Sequence, residues 1–123
     1  MIKIILKDLP KVSLNQWYSS KHWTHRQKTK KIYTLIVKSQ FKRIFSKENQ
    51  YVVHYAFEFE KNSLDASNCI AMVKMIEDII FEDDKWDIID IGSITSRKGK
   101  ENKVTIKVEI KGEMTNEKER TLA

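Results

Sequence analysis

The sequence predicts a single α+β domain, a mixed β-sheet with two main helices packed on it, in the order β-α-β-α-β-β. Three observations lead there. Four segments have strand composition or apolar alternation, and two segments with helical periodicity lie between them. Three Gly and one Pro in 123 residues leave no linker that would separate domains. A hydrophobic content of 41% over this length is enough for one core and too little for two.

Ile2 to Leu6 alternates weakly and reads as the first strand, closed by Pro10. Leu14 to His25, which contains Trp17, Tyr18, His22, Trp23 and His25, reads as an irregular segment. Arg26 to Ser46 carries Tyr33, Val37, Phe41 and Ile44 on one face and Lys28, Lys31, Lys38 and Lys42 on the other, which predicts an amphipathic helix. Tyr51 to Glu60 (YVVHYAFEFE) has strand composition, with clear alternation in its second half. Asp65 takes the N-cap position before Ala66 to Phe81, whose apolar side chains predict a mostly buried helix. A narrow wet stripe of Lys74, Glu77 and Asp78 is expected along it. Ile88 to Thr95 and Lys103 to Ile110 are two more strands; the basic turn Ser96 to Asn102 joins them, most simply as a hairpin. Residues 1–111 thus form the domain, and 112–123 are a polar tail expected to be flexible.

Charge is distributed unevenly. Residues 1–49 hold 12 Lys and Arg against 2 acids, residues 50–96 hold 3 against 10, and residues 97–123 hold 8 against 5, for a net charge of +6. Eight of the 17 acids fall between Leu64 and Asp90. An acidic centre between basic arms suits a polyanion whose phosphates meet both Lys or Arg and a carboxylate-held metal. Mg²⁺ fits such a site because it takes oxygen ligands and is held by one or two carboxylates, with waters and substrate phosphates completing its shell.

Other classes are poorly supplied. The lone Cys69, inside the apolar helix, excludes an intrachain disulfide and a Cys-based zinc site, and is expected in the core. His22 and His25 have no third soft ligand nearby, so zinc is not expected. Met1 to Lys7 is too short and too interrupted by Lys for a signal peptide, and no run of 18 apolar residues exists, so an intracellular protein with no membrane association is expected. No Gly-rich phosphate loop is present.

Several residues fit two roles. Asp65 is either a helix cap or a metal ligand, and Glu82-Asp83-Asp84 is either a solvated turn or the second half of a metal site. Asp65 and Asp84 can meet only if the element after the helix folds back beside its start. Lys74 is either part of a solvated stripe, pairing with Asp78, or turned to a substrate backbone. At about 100° per residue it lies on the opposite side of the helix from Asp65. The run from Lys21 to Lys31 interleaves aromatic rings and cations, as nucleic-acid contacts do. Lys21, His22, Arg26, Lys28 and Lys31, with Asn68 and with Lys98 and Lys100 of the basic turn, are the DNA-binding candidates.

Asp65, Asn68, Lys74, Asp78, Asp83 and Asp84 stand in an order that resembles the RusA family of Holliday-junction resolvases. That family's signature is an Asp, a second Asp two positions later followed at once by Asn, a helix with a Lys and a later Asp, then an Asp-Asp pair shortly before a strand. The segment with Pro10, Ser13, Asn15 and Tyr18 resembles the family's N-terminal loop, and the resemblance spans residues 2–110. It implies a Mg²⁺-dependent endodeoxyribonuclease, with Mn²⁺ able to substitute. Such an enzyme resolves four-way junctions by paired phosphodiester hydrolysis in recombination and repair. It acts as a homodimer in the cytoplasm of a bacterial or phage-infected cell, without an organic cofactor. Asp65, Asp83, Asp84 and Lys74 would be the catalytic residues, with metal on Asp65 and Asp84 and Asp83 assisting. The chain departs from the pattern at Ser67, where the family has its second Asp, and at Ala71, where a Lys is common. The loss of a carboxylate leaves a non-catalytic DNA-binding protein of the same fold as the alternative.

Overall fold

Period-two alternation in the central strand sets the two faces of the sheet. In the computed structural model, which describes residues 1–19 and 23–113, β2 (Asn49–Phe59) turns Tyr51, Val53, Tyr55, Phe57 and Phe59 into the core. Tyr55, Phe57 and Phe59 stack in succession along it, with ring centroids 6.5 and 5.9 Å apart. β1 (Ile2–Lys7) adds Ile4 and Leu6 to the same face, and β4 (Lys103–Glu113) adds Val104, Ile106 and Val108. Each such side chain removed from water contributes roughly 1.5–3 kcal/mol before conformational entropy is subtracted.

The sheet is mixed, as expected, with strand order β1-β4-β2-β3, where β3 is Ile89–Lys98. β4 runs antiparallel between β1 and β2, while β3 is parallel to β2 on its other edge. The expected hairpin of the last two strands therefore does not form. A helix links β2 to β3 as a parallel crossover, and the turn after β3 steps over the end of β2. Three hydrogen bonds fix that step: Gly99 N–H to Phe59 O at 2.9 Å, Glu60 N–H to Asn102 Oδ1 at 3.0 Å and Asp8 N–H to Asn102 O at 3.0 Å. Gly99 leaves room at the crossing for the Glu58 side chain, whose Cδ would lie 2.1 Å from a Cβ there and would have to swing aside.

The helices cover the core face. α1 (Leu14–Ser19) is a short helix within the segment expected to be irregular; its first turn is closed by reciprocal bonds between Ser13 and Gln16. α2 (Trp23–Gln40) starts earlier and ends earlier than its pattern indicates, burying Tyr33 and Val37. Past Gln40 the chain peels away because Phe45 finds better partners: its N–H donates to Ile80 O at 2.8 Å and its O accepts Glu82 N–H at 2.9 Å. Its ring lies 5.1 Å from Phe81 and 5.5 Å from Tyr51. Ile44, expected on the apolar face, is instead 52% exposed.

A 3-10 turn (Ala66–Cys69) leads into α3 (Ile70–Ile80), where Ala71, Met72, Val73, Met75, Ile76, Glu77 and Ile80 are buried. Cys69 is fully buried, as expected of a core residue. β4 continues to Glu113, so the first two residues of the expected tail lie in a strand; 114–123 fall outside the described residues. No helix among the described residues is long and apolar enough to cross a membrane.

Candidate active site

The acids sort themselves by the ends of α3. Asp65 is the residue before the 3-10 turn, in extended conformation, and makes no side-chain cap bond; its carbonyl accepts the Asn68 N–H at 2.9 Å. Its neighbourhood is the C-terminal end of β2 and β3, where Ser96 Oγ donates to Leu64 O. Glu82, Asp83 and Asp84 follow the other end of α3, beside Phe45 and the start of β3. The 11 residues of α3 alone span about 16 Å at 1.5 Å per residue. Asp65 and Asp84 therefore do not share a metal within one chain, which corrects the pairing expected from the sequence. β3, parallel to β2, does run back to the helix's start and brings Ser96 to Leu64, but Asp84 precedes β3 and stays at the far end of α3.

Within the second cluster each carboxylate has a separate task. Glu82 Oε1 accepts the Lys47 N–H at 2.9 Å. Asp83 Oδ1 accepts the Lys85 N–H at 3.1 Å, and its Oδ2 lies 3.8 Å from Lys85 Nζ. Asp83 thus closes its own turn. Asp84 lies instead near the carboxyl of Asp78, on the last turn of α3, close enough to act on its charge. Burial and the neighbouring Asp84 carboxyl push the Asp78 carboxyl above the usual carboxylate range, while Lys30 and Lys74 oppose the rise.

Lys74 and Asp78 form the wet stripe of α3 together with Ile70. Glu77 does not belong to it. Only 2% exposed, Glu77 accepts a hydrogen bond from Tyr55 OH at 3.1 Å on the sheet beneath. Burial raises its pKa, with Asp84 and Asp78 adding to the rise against Tyr55 and Lys74. Tyr55 is itself raised well above its ordinary value, by burial first and by Glu77 second. The site is thus a carboxyl pair, Asp78 and Asp84, at the mouth of α3, backed by a third buried carboxyl and approached by a Lys from each of two helices. Among the described residues no group of three or more His, Cys, Asp or Glu is arranged to hold a metal ion.

The remaining candidates are scattered. Asn68 is half-buried in the 3-10 turn at the Asp65 end, and Lys98 and Lys100 are exposed at the end of β3 and in the turn beyond it. Lys28 and Lys31 are exposed on α2, whereas Arg26 is half-buried and its Nε is shut from solvent with no hydrogen-bond partner among the described residues. Lys21 and His22 lie outside the described residues. Lys30, not singled out in the sequence, lies 6.0 Å from the Trp17 ring centroid and acts on Asp78. No signal in its own helix marks it, because its partners come from α1 and α3. Compared with protein-family models, curated proteins and solved structures, the chain matches none.

Proposed function

We propose that the protein is a Mg²⁺-dependent endonuclease of branched DNA, of the RusA type, with Asp78 and Asp84 rather than Asp65 and Asp84 as the metal-holding pair. The single observation that carries the reading is the Asp78–Asp84 contact next to Lys74. These are three of the six positions on which the resemblance to the resolvases rests, brought together by the fold. Two neighbouring carboxyls repel each other's charge, and a shared proton, a lysine or a bound cation relieves that repulsion. An all-oxygen pair suits Mg²⁺ or Mn²⁺, which needs no more than one or two carboxylates when phosphate and water complete its shell. Such an ion would supply a bound hydroxide and neutralise charge on the scissile phosphate.

The chain's own residues account for the rest. Lys74 and Lys30 place positive charge where a phosphodiester oxygen would approach the pair, and the exposed Lys28, Lys31, Lys38 and Lys42 supply phosphate contacts that carry no sequence information. Action on four-way junctions, as a homodimer in the cytoplasm of a bacterial or phage-infected cell, is the finer form of this proposal.

The test is cleavage of a four-way junction with and without Mg²⁺ or Mn²⁺. Asp84→Asn and Asp78→Asn should each abolish cleavage and leave junction binding intact or slightly stronger. Full activity in either variant would remove the pair from the chemistry. A second reading, binding without cleavage, is favoured by the separation of Asp65 from Asp84 and by Ser67. It predicts salt-sensitive junction binding with no product at any metal concentration.

A further inference from the structure

The helices leave one face of the sheet uncovered, and the register arranges that face in four rows. They read Glu109–Val52–Asp90, Lys3–Lys107–His54–Ser93, Ile5–Thr105–Ala56–Thr95 and Lys7–Lys103–Glu58–Arg97. Every one of these residues is exposed or half-buried. Lys3 faces Lys107, and Lys7 faces Lys103, directly across antiparallel strands. Like charges in such positions destabilise a sheet, so each pair calls for compensation.

The Lys7–Lys103 pair is compensated. Glu101 lies 3.3 Å from Lys7 and 3.5 Å from Lys103, and Glu58 lies 4.0 Å from Lys103 and 3.3 Å from Arg97. On the other flank Asp90 is bound by Lys111 at 2.9 Å. Lys3 and Lys107 make no ion pair or hydrogen bond among the described residues. The nearest unspent acid of the face is Glu109, in the row beyond them. Two facing ammonium groups are therefore left uncompensated in the middle of an open sheet.

What lies beside them is a shallow groove of about 350 Å³, lined by His54, Ala56, Ser93, Thr95, Thr105 and Lys107 among others. Its floor is Ala56, the smallest side chain on this face of β2. Three hydroxyls and an imidazole surround that floor. His54 Nδ1 and Ser93 Oγ are 2.8 Å apart, and the ring lies so close over the bulge residue Gly92 that a Cβ there would come within 2.4 Å of it. The imidazole is thus fixed by its Ser93 bond and by the glycine beneath it.

We infer that this face binds the phosphate backbone of a nucleic-acid duplex, with Lys3 and Lys107 as the charged contacts and Thr105, Thr95 and Ser93 as hydroxyl donors. Charge complementarity selects a polyanion. The absence of Phe, Tyr and Trp from the four rows selects backbone phosphates over unstacked bases, which need an aromatic platform. Such contacts position a duplex without reading its sequence. The surface lies on the side of the sheet opposite α2 and α3, so it is separate from the Asp78–Asp84 pair. The inference shares with the proposed function the identity of the partner as nucleic acid, and nothing of the cleavage chemistry.

The experiment measures affinity for a short DNA duplex and for a four-way junction over a salt series, using the full chain and its Lys3→Ala/Lys107→Ala variant. Removal of a facing cation pair should leave the protein at least as heat-stable as before, so misfolding is read out directly by thermal melting. Affinity should fall roughly five- to twenty-fold near 100 mM salt, and the slope of log affinity against log salt should flatten by about two. Lys107→Glu, which sets a carboxylate beside Lys3, should weaken binding further while raising the melting temperature. Unchanged affinity and slope would overturn the inference, as would a parent protein that binds no duplex. A variant whose mass in solution halves would also overturn it and make the face an interface between copies. Cleavage is scored separately: a chain that never cuts but loses binding with Lys3 and Lys107 keeps this inference and loses the nuclease reading. A chain that cuts as before with both Lys replaced does the reverse.

Discussion

Asp84 acts directly on the Asp78 carboxyl although the end of α3 lies between them. The contact exists because α3 stops at Ile80, where Phe81 turns to extended conformation and Phe45 takes the free backbone groups on either side of it. The chain then turns back on itself, and Asp84 arrives over the last helical turn.

That contact fixes the direction of a pH effect. The folded protein holds the Asp78 proton to higher pH than the unfolded chain does, so between the ordinary carboxylate value, about 3.9, and the raised folded value the unfolded state binds fewer protons. Stability contributed here is therefore full at low pH and declines as pH rises through that window. In the absence of divalent metal, Asp78→Asn should abolish the decline and stabilise the protein at neutral pH by roughly half a kcal/mol, an allowance for solvent screening of a group on the wet stripe. Thermal melts from pH 3 to pH 8 give the measurement. A variant that gains nothing above pH 6 would show that the lysines already balance the pair.

Divalent metal should reverse the same effect. Binding to the folded state alone stabilises it by mass action, about 2.7 kcal/mol at a metal concentration one hundred times the dissociation constant. Mg²⁺ or Mn²⁺ should raise the melting temperature of the parent chain, and the rise should fade as acid returns a proton to Asp78, since the ligand must be deprotonated. Asp84→Asn should lose most of the rise at every pH. Equal metal response in the parent and in Asp84→Asn would place any bound ion elsewhere.

The Tyr55–Glu77 pair is open to a stability test that does not involve activity. Tyr55→Phe leaves a buried carboxyl without its donor and should cost about 1–3 kcal/mol, the penalty of an unsatisfied buried group. Tyr55→Phe combined with Glu77→Leu removes both partners and should recover much of that loss. Urea denaturation of the three variants reads the coupling. A double variant no more stable than Tyr55→Phe alone would mean that Glu77 is held by something other than the tyrosine.

The same pair marks what was legible in the sequence. Period-two and helical patterns placed every strand, because they record which side chains meet water, and burial of Tyr51, Tyr55, Phe57 and Phe59 follows them closely. They could not show that Glu77 is buried, since its donor lies on another element. Nor could they place β4 between β1 and β2: Ser96 to Asn102 reads as a hairpin turn, and only the tertiary bonds from Gly99 to Phe59 and from Glu60 to Asn102 reveal the step over β2. The end of α2 was missed for the same reason, as no Gly or Pro marks Gln40 and the competing partners of Phe45 come from residues 80–82. For the candidate site, the sequence singles out Asp84 and Lys74, whereas Asp78 reads there only as part of the wet stripe. Which acid meets Asp84 depended on the direction of the chain after α3.

Ser67 separates two locations for the proposed metal. It is exposed in the 3-10 turn beside Asp65, a helix length from the Asp78–Asp84 pair. An added carboxylate strengthens a hard-cation site only as a direct ligand, since each anionic oxygen replaces a water in the shell. At the far end of α3 it acts on the pair only through solvent, over more than the roughly 10 Å screening length at 0.1 M salt. Ser67→Asp should therefore leave the Mg²⁺ requirement for junction cleavage within about two-fold of the parent's. In the same titration Asp78→Glu, which keeps the charge but moves the oxygens, should raise it. A Ser67→Asp protein that cuts at several-fold lower Mg²⁺ would put the ion at the Asp65 end after all. A full site there would need a second copy of the chain to bring its Asp84 to this Asp65, because the 11 residues of α3 keep the two apart within one chain.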